Sequence, residues 1–136
     1  MATRAGFSSY RLYVRQGDRT FHAKSEGESV RRAIGIARRA TKRRKILDVQ
    51  TTDISGFCKA LAACEERLAA VIVTPDEKDP KHRGFLREVR ELTSAEGALL
   101  IWREKDDDRA ETRGPREILG IQPDITCYSE KIHARS

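Results

Sequence analysis

The segment Ala69-Ala-Val-Ile-Val73 is apolar at every position, and Ala98-Leu-Leu-Ile-Trp102 repeats this pattern further along the chain. Short runs without polar residues are typical of strands that are covered on both faces, as in a parallel sheet. Between the two runs, Phe85 and Val89 recur at helical spacing, and Gly97 can end that helix in the left-handed conformation. The sequence therefore predicts a strand, a helix and a second strand at the centre of the domain.

Patterning on either side of this unit predicts the remaining elements. Apolar residues recur on one helical face from Glu28 to about Arg43, and Ser25 or Gly27 can cap the start of this helix. Asp53 offers an N-cap oxygen for another helix. The buried face of that helix is predicted to comprise Phe57, Leu61, Cys64 and Leu68. Further strands are predicted at residues 10–14, 20–23, 46–49 and 125–128. A short helix is predicted at residues 115–119.

The order of these elements predicts the fold class. Strand and helix alternate from Thr20 onward, and the economical topology for such a pattern places right-handed crossovers on one sheet. We expect an α/β fold with three layers, α/β/α, and a mostly parallel sheet. The length of 136 residues suits one domain, which we assign to residues 19–136, with residues 1–18 as an N-terminal extension or hairpin.

The composition narrows the classes of function. No apolar run reaches the length of a membrane span, and the first residues lack the apolar stretch of a secretory signal. Cys58, Cys64 and Cys127 have neither metal-site nor disulfide spacing, so we expect a cytoplasmic protein with reduced thiols. Asp106-Asp-Asp108 lacks the spacing of a calcium loop, and the three histidines share no motif with a nucleophile. We therefore expect no metal site.

One segment carries much of the positive charge. The formal net charge is +6, and eight of the fifteen residues from Arg31 to Lys45 are basic. Such a helix face can bind nucleic acid, anionic lipid or an acidic protein through salt-sensitive contacts. An ordinary solvated helix face is the alternative. The residues with this predicted polyanion-binding role are Arg31, Arg38, Arg39, Lys42, Arg43, Arg44 and Lys45.

Four stretches of the chain, read in order, carry a family resemblance. The most specific is Gly84-Phe-Leu-Arg-Glu-Val-Arg-Glu-Leu-Thr-Ser-Ala-Glu-Gly-Ala-Leu-Leu-Ile-Trp102, which is followed by Glu117–Thr126 and preceded by Ser29–Leu47 and Arg67–Pro75. Together they resemble the large domain of class III pyridoxal-phosphate-dependent aminotransferases, most closely the glutamate-1-semialdehyde aminomutase branch. The resemblance implies part of the large domain of a fold-type I enzyme. The active-site segment that the family carries after the position of Val49 is missing.

The resemblance also implies where the cofactor would be held. The phosphate loop of the family falls on Ser25, Glu26 and Gly27. Its pyridine-binding aspartate falls on Arg103, with Glu104 as the next residue. By this resemblance, Ser25, Gly27 and Glu104 are the candidate cofactor-binding residues.

The candidate catalytic residue is Lys131. The Schiff-base lysine of the family falls on Glu130, one residue before Lys131. Adjacent residues of a strand face opposite sides of the sheet, so Lys131 would take this role only after a slip or bulge of one residue.

These replacements favour a relative that lacks the catalytic activity of the family. Arginine cannot accept the pyridinium proton, and a carboxylate at Glu26 repels the phosphate dianion. We therefore expect no bound cofactor and a role in binding or assembly, with a second copy or another protein covering apolar surface. Two alternatives stay open: a pyridoxal-phosphate-dependent transaminase or aminomutase using Lys131, and a basic nucleic-acid-binding module at residues 28–45.

Overall fold

The computed structural model describes residues 10–75, 82–104 and 120–131, without the side chains of Tyr10, Glu130 and Lys131. The predicted helix at residues 115–119 and the acidic run at residues 106–108 lie outside the described residues. Within the described part of the chain, none of the helices is long and apolar enough to cross a bilayer.

Six strands and three helices make up the described structure. They are β1 (Tyr10–Gln16), β2 (Arg19–Ala23), α1 (Glu26–Thr41), β3 (Lys45–Asp48), α2 (Ile54–Ala63), β4 (Leu68–Val73), α3 (His82–Glu96), β5 (Leu99–Arg103) and β6 (Ile125–Lys131). All strands belong to one sheet in the order β2-β1-β6-β5-β4-β3, in which β3 to β6 are parallel. Helices pack on both faces, which confirms the predicted α/β class with three layers.

The strand β1 is the exception to the parallel arrangement. It forms a hairpin with β2 through Gly17, whose φ of 61° suits a residue without a side chain, and it also runs antiparallel to β6. Residues 10–18 therefore form part of the sheet. In the described residues β2 pairs with antiparallel β1 and with no parallel partner, which corrects the expectation of a parallel sheet from Thr20 onward.

The helix α1 covers one face of the sheet with small apolar side chains. Ala33 and Ala37 are fully buried and pack with Ile72 of β4 and Ile101 of β5. Methyl side chains let the helix approach the sheet closely, and the charged residues of α1 lie on its outer surface. The prediction that Ser25 caps this helix is confirmed, since its Oγ accepts a hydrogen bond from the backbone N–H of Glu28 at 3.1 Å.

The helices α2 and α3 cover the opposite face. Phe85 and Val89 of α3 are buried against Val71 of β4 and Trp102 of β5. The ring of Phe57 from α2 meets that of Phe85 edge to face, with 6.2 Å between the ring centroids. The two apolar strands predicted from the sequence are thus covered on both sides.

Two predicted helix ends differ from those observed. The helix α1 ends at Thr41 rather than near Arg43, because Lys42 adopts a left-handed φ of 59° while its N–H donates to the carbonyl of Arg38. The helix α2 ends at Ala63, and Leu68, predicted on its buried face, begins β4 instead.

The side chain of Arg43 connects three elements near the start of β4. Its Nη1 donates to the carbonyl of Leu68 at 3.1 Å and to that of Glu96 at 2.9 Å, so one cation joins the end of α1, the start of β4 and the end of α3. A cation is favourable at the C-terminus of a helix, where carbonyl groups lack partners within the helix. Gly97 makes room for the guanidinium, since a Cβ there would lie 3.2 Å from Nη2 of Arg43.

We expect Arg43→Ala to lower the free energy of unfolding by about 2 kcal/mol, because the carbonyl of Leu68 loses a charge-assisted partner that water replaces poorly. The matched control is Arg44→Ala, which removes the same charge from an exposed neighbouring side chain and should change stability by less than about 0.5 kcal/mol. Urea denaturation followed by circular dichroism measures both variants. Equal losses in the two variants would contradict the role assigned to Arg43.

Candidate functional site

Three polar side chains come together where β3, β4 and β5 end. Asp48 is the last residue of β3, Thr74 follows β4 directly, and Arg103 is the last residue of β5. The strands are parallel neighbours, so their carboxyl ends lie at the same edge of the sheet. Open α/β sheets bind their ligands at this edge. This edge is therefore the candidate functional site that the fold itself indicates.

Arg103 is bound by residues at the carboxyl ends of β3 and β4. Its Nη1 and Nη2 donate to the two carboxylate oxygens of Asp48 at 3.3 and 3.1 Å, and its Nε donates to Thr74 Oγ1 at 3.1 Å. This two-bond arrangement matches the planar guanidinium to the carboxylate and fixes its orientation. The pair is partly exposed, so it adds little to the stability of the fold. Its main effect is to fill the space at the carboxyl ends of β3, β4 and β5.

A small cleft separates the first turns of α1 from the ends of β5 and β6. Its volume is ≈ 20 Å³, and its polar lining includes Glu26, Ser29, Arg103 and Glu104. That space holds about one water molecule, whereas pockets for cofactors and drug-sized ligands usually enclose roughly 300 to 1,000 Å³. The structure thus brings the two predicted cofactor-binding regions together, but around a space that is too small for a cofactor ring.

Side chains at the N-terminus of α1 bind two backbone N–H groups of this region. Glu28 Oε1 accepts a hydrogen bond from the backbone N–H of Lys24 at 2.9 Å, while Ser25 Oγ accepts one from the N–H of Glu28. Glu26 and Glu28 place two negative charges in the first turn, and Gly27 lies between them. Backbone amides at a helix N-terminus attract phosphate, but acidic side chains in the same turn already complement the helix dipole.

The residues present do not fit pyridoxal phosphate. That cofactor requires a carboxylate beside its pyridine nitrogen and unhindered backbone amides at its phosphate. By the resemblance, Arg103 stands at the first position, and it is hydrogen-bonded to Asp48 and Thr74. By the same resemblance, Glu26 stands in the phosphate loop, and both Glu26 and Glu104 line the remaining cleft.

Lys131 is the last residue of β6. Its backbone pairs opposite Tyr10 in the antiparallel ladder between β1 and β6. The side chain lies outside the described residues, so the Schiff-base role of Lys131 stays a prediction. In the described residues, no group of three or more His, Cys, Asp or Glu side chains is arranged to hold a metal ion.

The predicted polyanion-binding residues divide into two groups. Arg43 is half-buried, and its guanidinium binds backbone carbonyls of β4 and α3. Arg38 is exposed, yet its Nε donates to the carbonyl of Arg44 at 2.9 Å. The exposed members of the set are Arg31, Arg38, Arg39, Lys42, Arg44 and Lys45. Polyanion binding by these residues stays a prediction.

The contacts of Arg103 with Asp48 and Thr74 were not predicted from the sequence. Asp48 was predicted only as part of the strand at residues 46–49, and Thr74 was named only within the family-like stretch Arg67–Pro75. A signal was present, because an acidic residue and a hydroxyl residue each stand at the carboxyl end of an apolar run, as does Arg103. Ends of neighbouring parallel strands meet in space, so these residue types at equivalent positions indicate contact.

Cys127 is the buried thiol of this region. It lies on β6 opposite Arg103 of β5, and its Sγ is 3.6 Å from the carbonyl oxygen of Ser29. Burial raises the pKa of Cys127 from 9.0 to about 11, and the hydrogen bond to Ser29 and the charge of Arg103 reduce that rise only in part. The thiol is therefore protonated and a poor nucleophile at neutral pH.

Comparison with known proteins identifies relatives over part of the chain. No protein-family model matches the chain, and no solved structure matches it. The chain is 36% identical over 85 residues to a glutamate-1-semialdehyde 2,1-aminomutase of Desulforudis audaxviator, which covers 59% of the chain and 20% of that protein. It is 44% identical over 78 residues to the enzyme of Thermomicrobium roseum, covering 54% of the chain and 18% of that protein.

A third relative extends the alignment slightly. The glutamate-1-semialdehyde 2,1-aminomutase 2 of Lysinibacillus sphaericus is 35% identical over 94 residues, which cover 65% of the chain and 22% of that protein. The chain thus spans about a fifth of the length of these curated relatives. The predicted kinship with the class III pyridoxal-phosphate-dependent aminotransferases is confirmed over that segment.

We expect iodoacetamide at pH 8 to modify exposed Cys58 at least about 100-fold faster than buried Cys127. The rise in the pKa of Cys127 from 9.0 to about 11 reduces its own thiolate population by about 100-fold, and burial hinders access further. Peptide mass spectrometry at timed intervals measures both rates in the same molecule. In 8 M urea the two rates should converge. Similar rates in the native protein would show that Cys127 is accessible and its environment misassigned.

Proposed function

We propose that this chain is a non-catalytic relative of the aminomutases, one that retains part of their α/β framework, binds no pyridoxal phosphate and acts through binding or assembly. The observation that carries this proposal is the set of three hydrogen bonds that holds Arg103 to Asp48 and Thr74. They anchor a cation at the position where the resemblance requires a carboxylate.

The chemistry of this exchange explains why the proposal excludes the activity of the relatives. In enzymes of that class the cofactor withdraws electrons only while its pyridine nitrogen keeps a proton, which an adjacent carboxylate stabilises. A permanently charged guanidinium at the same place opposes that proton. Moving Arg103 aside would break the ion pair and leave the carboxylate of Asp48 without its cationic partner.

The negative charges at the other end of the site support the same proposal. A phosphate dianion entering the cleft would approach Glu26 and Glu104, both of which line it. Two unit charges at 4 Å repel each other by about 4 kcal/mol at the effective dielectric constant of a protein surface. A cation therefore stands where the pyridine nitrogen needs a carboxylate, and carboxylates stand where the phosphate needs uncharged or cationic groups.

The test is to mix the purified chain with excess pyridoxal phosphate, reduce the mixture with borohydride and locate adducts by peptide mass spectrometry. We expect Lys131 to be modified no more than an ordinary lysine such as Lys59, because on this proposal the chain has no site that concentrates the cofactor. The full-length aminomutase of Thermomicrobium roseum, treated in parallel, is the positive control.

The Lys131→Ala variant serves as the matched negative control, since total adduct should fall only by the share of one lysine. A stoichiometric adduct at Lys131 that disappears in this variant would refute the proposal and favour the enzyme that uses Lys131. Turnover of an amino donor by the unmodified chain would refute it independently.

A further inference from the structure

Among the described elements, no helix packs on one half of one face of the sheet. The helix α1 packs across the sheet on one side and contacts β1, β2 and β6 as well as β4 and β5. On the other side α3 packs on β4 and β5. In the part of the chain that the structure describes, neither α2 nor α3 has substantial contact with β1, β2 or β6. We call the surface of these three strands on the side away from α1 the hairpin face.

An aromatic row crosses the hairpin face. Tyr13 of β1 lies directly opposite His22 of β2 and Tyr128 of β6, with ring centroids 4.9 and 5.2 Å apart. Tyr13 points away from α1, because its neighbour Val14 is fully buried in the α1 side of the core. Tyr128 is buried, Tyr13 is half-buried and His22 is exposed, so the rings become more accessible toward β2.

Positive charges surround the exposed end of this row. Arg11 and Arg15 stand two residues before and after Tyr13, so they share its side of the sheet, and both are exposed. An open groove of ≈ 420 Å³ lies at the margin between this face and α1. Arg11, His22 and Lys24 line it from the hairpin, and Arg32 and a single carboxylate, Glu28, line it from α1. The lining thus has more cationic than anionic groups.

We propose that the hairpin face binds single-stranded nucleic acid, with bases stacked on Tyr13 and His22 and phosphates bound by Arg11, Arg15 and Lys24. Aromatic rings on a sheet, flanked by basic side chains, suit unpaired bases because every base has a face that stacks and every nucleotide carries a phosphate. An acidic peptide would use the cations but leave the rings without partners. A duplex keeps its base faces inside the helix, where these rings cannot reach them.

This proposal does not depend on whether the chain binds pyridoxal phosphate. It also concerns a different surface from the basic helix for which polyanion binding is predicted. Arg38 and Arg39 of α1 are exposed on the opposite side of the sheet, and so is Lys42, which directly follows that helix. Substitutions can therefore separate the two surfaces.

Fluorescence anisotropy with labelled twelve-nucleotide oligo-dT and oligo-U, together with a duplex of the same length, tests the proposal on the full chain. We expect both single strands to bind more tightly than the duplex. With three phosphate contacts, the affinity should fall by about 20-fold between 50 and 200 mM salt. No binding of single strands at 50 mM salt, or tighter binding of the duplex, would overturn the proposal.

Variants of Tyr13 distinguish stacking from charge. Tyr13→Leu keeps an apolar side chain and removes the ring, so we expect a loss of about 5- to 150-fold, the range for one base stacked on an aromatic residue. Tyr13→Phe keeps the ring and should bind as the unmodified chain does. Urea midpoints confirm that both variants are folded. Equal affinity of the Leu and Phe variants would overturn the stacking assignment.

Charge variants place the phosphate contacts. Arg11→Gln and Lys24→Gln should each weaken binding to both oligonucleotides alike and reduce the slope of log affinity against log salt by about 0.7. The matched control is the Arg38→Gln, Arg39→Gln, Lys42→Gln triple variant of α1, which should leave the affinity within about threefold. If instead the α1 variant abolishes binding while the hairpin variants do not, or if polyglutamate displaces the oligonucleotide at equal concentration, the proposal is wrong.

Discussion

The burial of β4 on both faces is the constraint on which the rest of the structure depends. Every residue from Leu68 to Val73 is at most 2% exposed, and their side chains supply both apolar clusters of the core. A register shift against β3 at Lys45 and Ile46 changes the alternation at the start of the strand, so Leu68 and Val71 contribute to the same cluster. Water can be excluded from such a strand only if amphipathic helices lie on both sides.

The same constraint determines where polar chemistry can occur. A strand that is apolar throughout places its first polar neighbours at its ends, and parallel strands place those ends side by side. Asp48, Thr74 and Arg103 are therefore brought together by the burial of the segments that precede them. In this chain the residues at that edge bind one another. They consequently form an ion pair rather than an open binding site, which is why we assign ligand binding to a different surface.

The sequence correctly predicted the features that depend on residues close together in the chain. The apolar runs of β4 and β5, the cap at Ser25 and the left-handed Gly97 each follow from residues within a few positions of one another. The position of β1 between β2 and β6 could not be predicted in this way, because the composition of a strand does not specify a distant partner. The Asp48–Arg103 pair and the role of Arg43 were missed for the same reason, since their contacts join residues far apart in sequence. The family resemblance added the expectation that the chain folds as part of the large domain of a fold-type I enzyme.

The pairing of β1 with β6 has a consequence for how the chain folds during synthesis. Tyr10, in the first described strand, pairs with Lys131, in the last, so the β1–β2 hairpin joins the sheet through contacts between residues that are far apart in sequence. Such pairing raises the contact order and slows folding. The β1–β2 hairpin leaves the ribosome early but must wait for β6 before it can dock. During that interval its edge and its apolar face are exposed, which makes a nascent chain of this architecture a substrate for chaperones.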